Sequence, residues 1–242
     1  MLSKAEIKEL HEQGMIHREG KLAGKIPFMV RTFRVKDNLN FAKSMDELEV
    51  TDSNLHIQGI VAYGTLKGCL VSFNGDLVSK PTIDKFTPEK ANFIIDFWKK
   101  FSKDLTDYLE GFSEQELTET ELEEFILTDT IIREENFEFE EGVSPLKIKY
   151  KIIPVGEMME VTQNMREILK QKISKIHARA ATDRAFAAAS IISINGTEVN
   201  EDTIDDFNIE MINFILKRAN SVEGKLREYL KTPEKMGEAL KN

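Results

Sequence analysis

The sequence predicts an α+β fold, mostly helical, made of two tandem copies of a strand-plus-helices unit related by internal duplication. Three observations predict it. A long segment recurs later in the chain at a constant offset. Each copy opens on a short stretch with apolar residues at alternate positions, the period of a half-buried strand. Each copy closes on a stretch with apolar residues three and four apart, the period of an amphipathic helix.

The recurrence is the primary signal. Ser72-Phe73-Asn74-Gly75, Thr82-Ile83-Asp84 and Asn92-Phe93-Ile94 return as Ser193-Ile194-Asn195-Gly196, Thr203-Ile204-Asp205 and Asn213-Phe214-Ile215, 121 positions later and without a gap. Roughly two positions in five are identical across this stretch. His56 and His177 fall in the same register. The opening strands match at an offset of 118, Pro27-Phe28-Met29-Val30 against Pro145-Leu146-Lys147-Ile148. These limits divide the chain into an N-terminal arm (1–25), unit one (26–111), an acidic connector (112–143), unit two (144–231) and a C-terminal tail (232–242).

The elements follow in order. The arm carries a short amphipathic helix with Ile7, Leu10 and Met15, then a flexible link at Gly20 and Gly24. After each opening strand comes a helix, clearest from Val161 to Ala180, where Met165, Ile168, Leu169, Ile173 and Ile176 share one face. Lys170, Lys172, Lys175 and Arg179 make its other face basic. A second helix, Thr182 to Ile192, is rich in Ala, and its small side chains suit burial between other helices. Its counterpart, Ile60 to Val71, is a poorer helix former, with Gly59, Gly64 and Gly68 in or beside it. Asn-Gly after each of these is a hairpin signal. The reading preferred here is a helix C-terminus followed by a turn, which both copies accommodate.

The last helix has the clearest start: Thr87 as N-cap, Pro88 at the first position and Glu89 in the first turn. Ile94, Phe97, Phe101, Leu105 and Tyr108 line one face, matched in copy two by Ile215, Val222, Leu226 and Tyr229. Trp98 and Phe101 become Ala219 and Val222, so the second core is thinner there. The connector reads as a helix (Glu114 to Leu127) and an extended piece (Asn136 to Glu141). Its Phe side chains are suited to dock on either unit, and its charge on the basic helix or on a partner. Thr232-Pro233-Glu234-Lys235 starts another short helix. The two units are expected to pack through an approximate two-fold relation.

Composition narrows the function classes. The chain has 242 residues, a formal net charge of −9 and one cysteine. A single cysteine excludes an intramolecular disulfide and any multi-cysteine zinc site. No apolar stretch is long enough to span a bilayer, and the N-terminus lacks the apolar core of a signal peptide; the expected location is the cytoplasm. Phosphate-loop, dinucleotide and nucleophile-elbow motifs are absent from the sequence. His11-Glu12 and His17 lack the four-residue spacing of a shared metal and are expected to face solvent. Cys69 lies in an apolar run as a buried thiol. Glu157, Glu160, Asp205 and Asp206 suit caps and solvated faces. The expectation is a non-enzyme without metal or cofactor. Basic residues without interleaved aromatics do not favour nucleic acid.

Lys147-Ile148-Lys149-Tyr150-Lys151-Ile152-Ile153-Pro154-Val155-Gly156-Glu157 resembles the strand, Pro and helix opening of phage tail assembly chaperones and related baseplate hub assembly proteins. Ser193-Ile194-Asn195-Gly196, Phe207-Asn208-Ile209-Glu210 and Lys217-Arg218-Ala219-Asn220-Ser221-Val222 resemble the later part of the same proteins. The resemblance covers most of copy two. It implies a non-enzymatic assembly or structural protein that binds tail, tape-measure or baseplate components or a second copy of itself. It further implies residence in the host cytoplasm during assembly, with retention in the virion open. The residues expected to meet a partner are Lys170, Lys172, Lys175, Arg179, Asn195, Gly196, Arg218 and Ser221. A cellular tandem-domain adaptor, and an enzyme or small-molecule binder with a site between the units, stand as alternatives.

Overall fold

A computed structural model describes residues 1–48, 53–139 and 142–231. The tail and its expected helix, and Glu140 and Glu141 of the connector, lie outside the described residues. The fold is α+β and mostly helical, with two four-stranded antiparallel sheets.

The first half runs α1 (Lys4–Gln13), β1 (His17–Leu22), β2 (Ile26–Arg31), α2 (Val35–Ser44), α3 (Asn54–Cys69), β3 (Leu70–Phe73), β4 (Asp76–Leu77), a single turn α4 (Lys80–Ile83) and α5 (Pro88–Glu110). The second runs α6 (Glu119–Thr128), β5 (Ile132–Phe137), β6 (Leu146–Lys151), α7 (Val155–Leu169), α8 (Lys175–Ser190), β7 (Ile191–Ile194), β8 (Thr197–Glu198) and α9 (Ile209–Leu230). The sheets have the orders β1-β2-β3-β4 and β5-β6-β7-β8. Their registers agree in detail. Phe28 faces Phe73 as Ile148 faces Ile194, and each register shifts by one residue, at Met29/Val30 and Lys149/Tyr150, where β3 and β7 carry the extra residue. The opening strands therefore correspond at an offset of 120, not the 118 that matching Pro27 to Pro145 suggests.

The correspondence reaches into the arm and the connector. Ser3 and Glu6 form a capping box on α1, and Thr118 and Glu121 form one on α6. Each box glutamate also holds an arginine of the next strand: Arg18 Nε lies 2.6 Å from Glu6 and Arg133 Nε 2.7 Å from Glu121. The expected flexible link at Gly20 is instead the middle of β1, paired with Phe28. A Cβ at Gly20 would lie 2.3 Å from the Phe28 ring, so glycine is there because an aromatic ring crosses the strand. The connector's extended piece is β5, four residues earlier than expected, and pairs with β6 along its whole length.

Two helix boundaries also differ from expectation. The Val161–Ala180 stretch is not one helix but the end of α7 and the start of α8. Ser174 breaks it by capping α8, its hydroxyl accepting from the His177 N–H at 3.1 Å. The Ala-rich α8 and its counterpart α3 do not end in an isolated turn. Each passes straight into a strand, β7 or β3, which hairpins through Asn-Gly. Both residues of each turn have positive φ (Asn74 55°, Gly75 88°; Asn195 51°, Gly196 80°), the geometry that matches the twist of a two-residue hairpin.

One hydrophobic core runs through both halves, with α5 packed on α9. Tyr108, Phe112, Phe137 and Phe214 form a chain of ring contacts that carries the connector across this seam. The halves do not meet through a two-fold. α2 packs on α8, and the turn before α2 is bridged to the start of α9: Val35 N–H donates to the Phe207 carbonyl and Ile209 N–H to that of Phe33, both at 2.9 Å. α7, the counterpart of α2, does not pack on α3 in the same way. A head-to-tail arrangement of this kind leaves one surface of each type open.

Candidate interaction surface

The eight residues expected to meet a partner divide by location. Lys170, Lys172, Lys175 and Arg179 are exposed, but Lys170 and Lys172 lie in the break after α7 and only Lys175 and Arg179 lie on α8, so the four do not form one basic helix face. Arg179 also lies 3.7 Å from Asp183 one turn on. The other four are built into the fold. Asn195 at the β7–β8 turn accepts from Lys147 N–H at 2.9 Å and donates to the His11 carbonyl at 2.5 Å. Gly196 completes that turn. Ser221 donates to Glu114 at 2.5 Å.

Arg218 is the most enclosed of the eight. It is 4% exposed and sits at the centre of a buried network, in which its Nε finds no partner among the described residues. Its Nη1 lies 2.6 Å from Glu135, and its Nη2 donates to the carbonyls of Phe112 and Ser113 at 2.9 Å each. The guanidinium also lies over the rings of Phe137 and Phe214, at 4.8 and 4.7 Å. Tyr150 donates its hydroxyl to the other Glu135 oxygen at 2.5 Å. Burial, reinforced by Glu135, pushes the Tyr150 hydroxyl far up, so it stays a donor. A buried charge needs such partners. The connector supplies them by folding back along α9, where Lys225 also meets the Gln115 carbonyl. The connector thus docks on α9 and not on the residues read as a basic face.

The histidines separate in the same way. His11 is buried, against the expectation of solvent. Its Nδ1 lies 2.6 Å from the Ser144 carbonyl and its Nε2 2.8 Å from the Tyr108 hydroxyl. The tautomer that satisfies both donates from Nδ1 and accepts at Nε2. Burial holds its pKa below the usual histidine value. His177 sits where α2 runs out, its Nδ1 2.5 Å from Asp46, which also accepts from Ser174 N–H at 2.7 Å. His56, at the corresponding place on α3, is exposed, beside an open groove bordered by Ser53, Gly59, Ile60 and Tyr63. Equal sequence positions therefore do not have equal surroundings.

The surface that stands out was not read from the sequence. Val155 and Met159 on α7 are 73% and 66% exposed, and Leu55 on α3 is 79% exposed. At the position corresponding to Val155, Val35 is 2% exposed beneath the bridge to α9. The two valines correspond at the offset of 120 that the sheets show, which neither the 118 nor the 121 of the sequence repeat gives. Pairwise packing, which decides the exposure of each, is invisible to the repeat.

Comparison with protein-family models, curated proteins and solved structures finds no match. Among the described residues, no cluster of His, Cys, Asp and Glu is placed to hold a metal ion, and no helix is long and apolar enough to cross a membrane.

Proposed function

We propose that this chain is an assembly or scaffolding protein that acts by binding other proteins, with the exposed face of α7 as its docking surface. The supporting observation is the contrast between the two halves. The α2 face is covered by α8 and the turn at Ile204–Asp206 before α9, whereas the corresponding α7 face presents Val155 and Met159 to solvent. Adjacent exposed apolar side chains of this size on a helix mark surfaces that a partner covers. A helix face with apolar anchors at its first and fifth positions fits a groove on another protein. The resemblance of the β6–α7 stretch points to tail, tape-measure or baseplate components of a phage as the partners.

The test is affinity capture from phage-infected cells, using the wild-type chain and the surface variants Val155→Glu and Met159→Glu. Tail or baseplate components in fixed ratio, lost from both variants, support the reading. Retention unchanged in the variants, or recovery of host proteins alone, refutes it.

A further inference from the structure

The second half contains a cleft where the first half contains a tryptophan. In α5, Trp98 packs against the core and stacks on Phe33, their ring centroids 4.5 Å apart at 31°. The corresponding residue of α9 is Ala219, and the residue corresponding to Phe33 is Ile153. Both rings are therefore missing from the second half. A cleft of about 220 Å³ opens at that place between α7, α8 and α9, with Ile152, Phe186, Leu216 and Ala219 among its walls. An apolar cavity of about 150 Å³ admits benzene, and this cleft exceeds that volume, with Lys151, Ser190 and Asn220 adding polar groups to its lining. Asp183 and Glu223 border the cleft, each with an arginine one turn away (Arg179 at 3.7 Å, Arg227 at 2.8 Å), and their remaining oxygens can accept from an aromatic N–H.

We propose that this cleft is a binding site for an indole-sized aromatic ring bearing an N–H donor, which takes the place in the second half that the Trp98 side chain fills in the first. The apolar walls cover the ring faces, and the acceptors at the rim orient its polar edge. This site is separate from the α7 docking face and goes beyond the function proposed above. The ring has two possible sources, a free small molecule or a tryptophan side chain presented by a polypeptide. The chemistry of recognition is common to both.

The experiment is isothermal titration of the full chain with indole and with N-acetyltryptophanamide, repeated on Ala219→Trp and Ala219→Leu. Ala219→Trp rebuilds the filled arrangement of the first half. Ala219→Leu is a smaller plug that keeps the test valid if the tryptophan variant does not fold. The expected result is saturable one-to-one binding of indole to the wild type, weakened at least tenfold in each folded variant. Binding of N-acetyltryptophanamide as well assigns the site to a presented side chain. Its exclusion assigns the site to a free small molecule. No saturable binding of either probe, or binding unchanged in Ala219→Leu, overturns the proposal.

Discussion

Val35 and Val155 each begin a helix at corresponding places in the two halves, and one is 2% exposed while the other is 73% exposed. Burying a valine contributes about 1.5–3 kcal/mol. Val35→Ala is therefore expected to lower stability by roughly 1–3 kcal/mol, and Val155→Ala by less than about 0.5 kcal/mol. Urea denaturation of the two variants checks this. Equal losses would mean that the second position is covered as well.

Arg218 gives the sharpest contrast between a structural and a partner-binding role. Removing one member of a buried ion pair costs about 3–5 kcal/mol, because the other charge is left uncompensated. Arg218→Met is expected to show a loss of that size. Adding Glu135→Leu to it should recover part of the loss, since no lone carboxylate then remains. Ser221→Ala, at an exposed hydrogen bond to Glu114, should cost less than about 1 kcal/mol. Thermal or denaturant unfolding decides. An Arg218 variant with unchanged stability and a lost partner would restore the reading drawn from the sequence.

Glu210 and His11 set opposite pH dependences. At the start of α9, one Glu210 oxygen accepts from Ser102 at 2.5 Å and the other is buried with no partner among the described residues. Burial pushes its pKa up to about 7. The folded state then holds this proton more tightly than the unfolded chain, so stability falls as pH rises from about 4.5 towards 7. The residue as a whole is only part-buried, which trims the effect to about 1–3 kcal/mol. His11 is lowered, so the unfolded chain takes its proton first and stability falls as pH drops below about 6.5. Glu210→Gln should raise stability at pH 8 and leave the acid-side loss in place. His11→Gln should reduce that acid-side loss. Unfolding curves between pH 5 and 8 check both signs.

Gly20 tests the strand in the arm. A Cβ there meets the Phe28 ring at 2.3 Å, and Phe28 is itself buried in the core. Gly20→Val is expected to destabilise by roughly 1–3 kcal/mol through overpacking, despite the better strand propensity of valine. Gly24→Asn, in a turn with a φ of 71° and open space beside it, should cost little. If Gly20→Val were silent in denaturant unfolding, this segment would be the flexible link its composition suggests.

Local signals in the sequence led to correct elements where the determinants are local. The α5 helix starts at Pro88 after Thr87, and α9 lies 121 positions on at Ile209. The Asn-Gly pairs make hairpins, though the strands that flank them are only four and two residues long, too short for a periodicity to register. Elsewhere the deciding partner is distant. His11 is buried by Tyr108 and Ser144, Arg218 by Glu135 and the carbonyls at 112 and 113, and Gly20 is occupied by a ring eight residues away. None of these contacts follows from the residue's own neighbours. Of the candidate site, the thinning at Ala219 was legible, because one half of the chain supplies the comparison for the other. The open face of α7 was not, because it depends on which helix the other half covers.

The hydrogen bond from Asn195 to the His11 carbonyl spans 184 residues, and the one from Asn208 to Thr32 spans 176. In a chain made from its N-terminus, α1 and the end of β2 thus wait for most of synthesis before their partners exist. Until then the polar groups of His11 and Thr32, buried in the finished fold, must stay hydrated. A nascent chain stopped near residue 111 is therefore expected to be protease-sensitive on the ribosome, with protection arriving late and in both halves together.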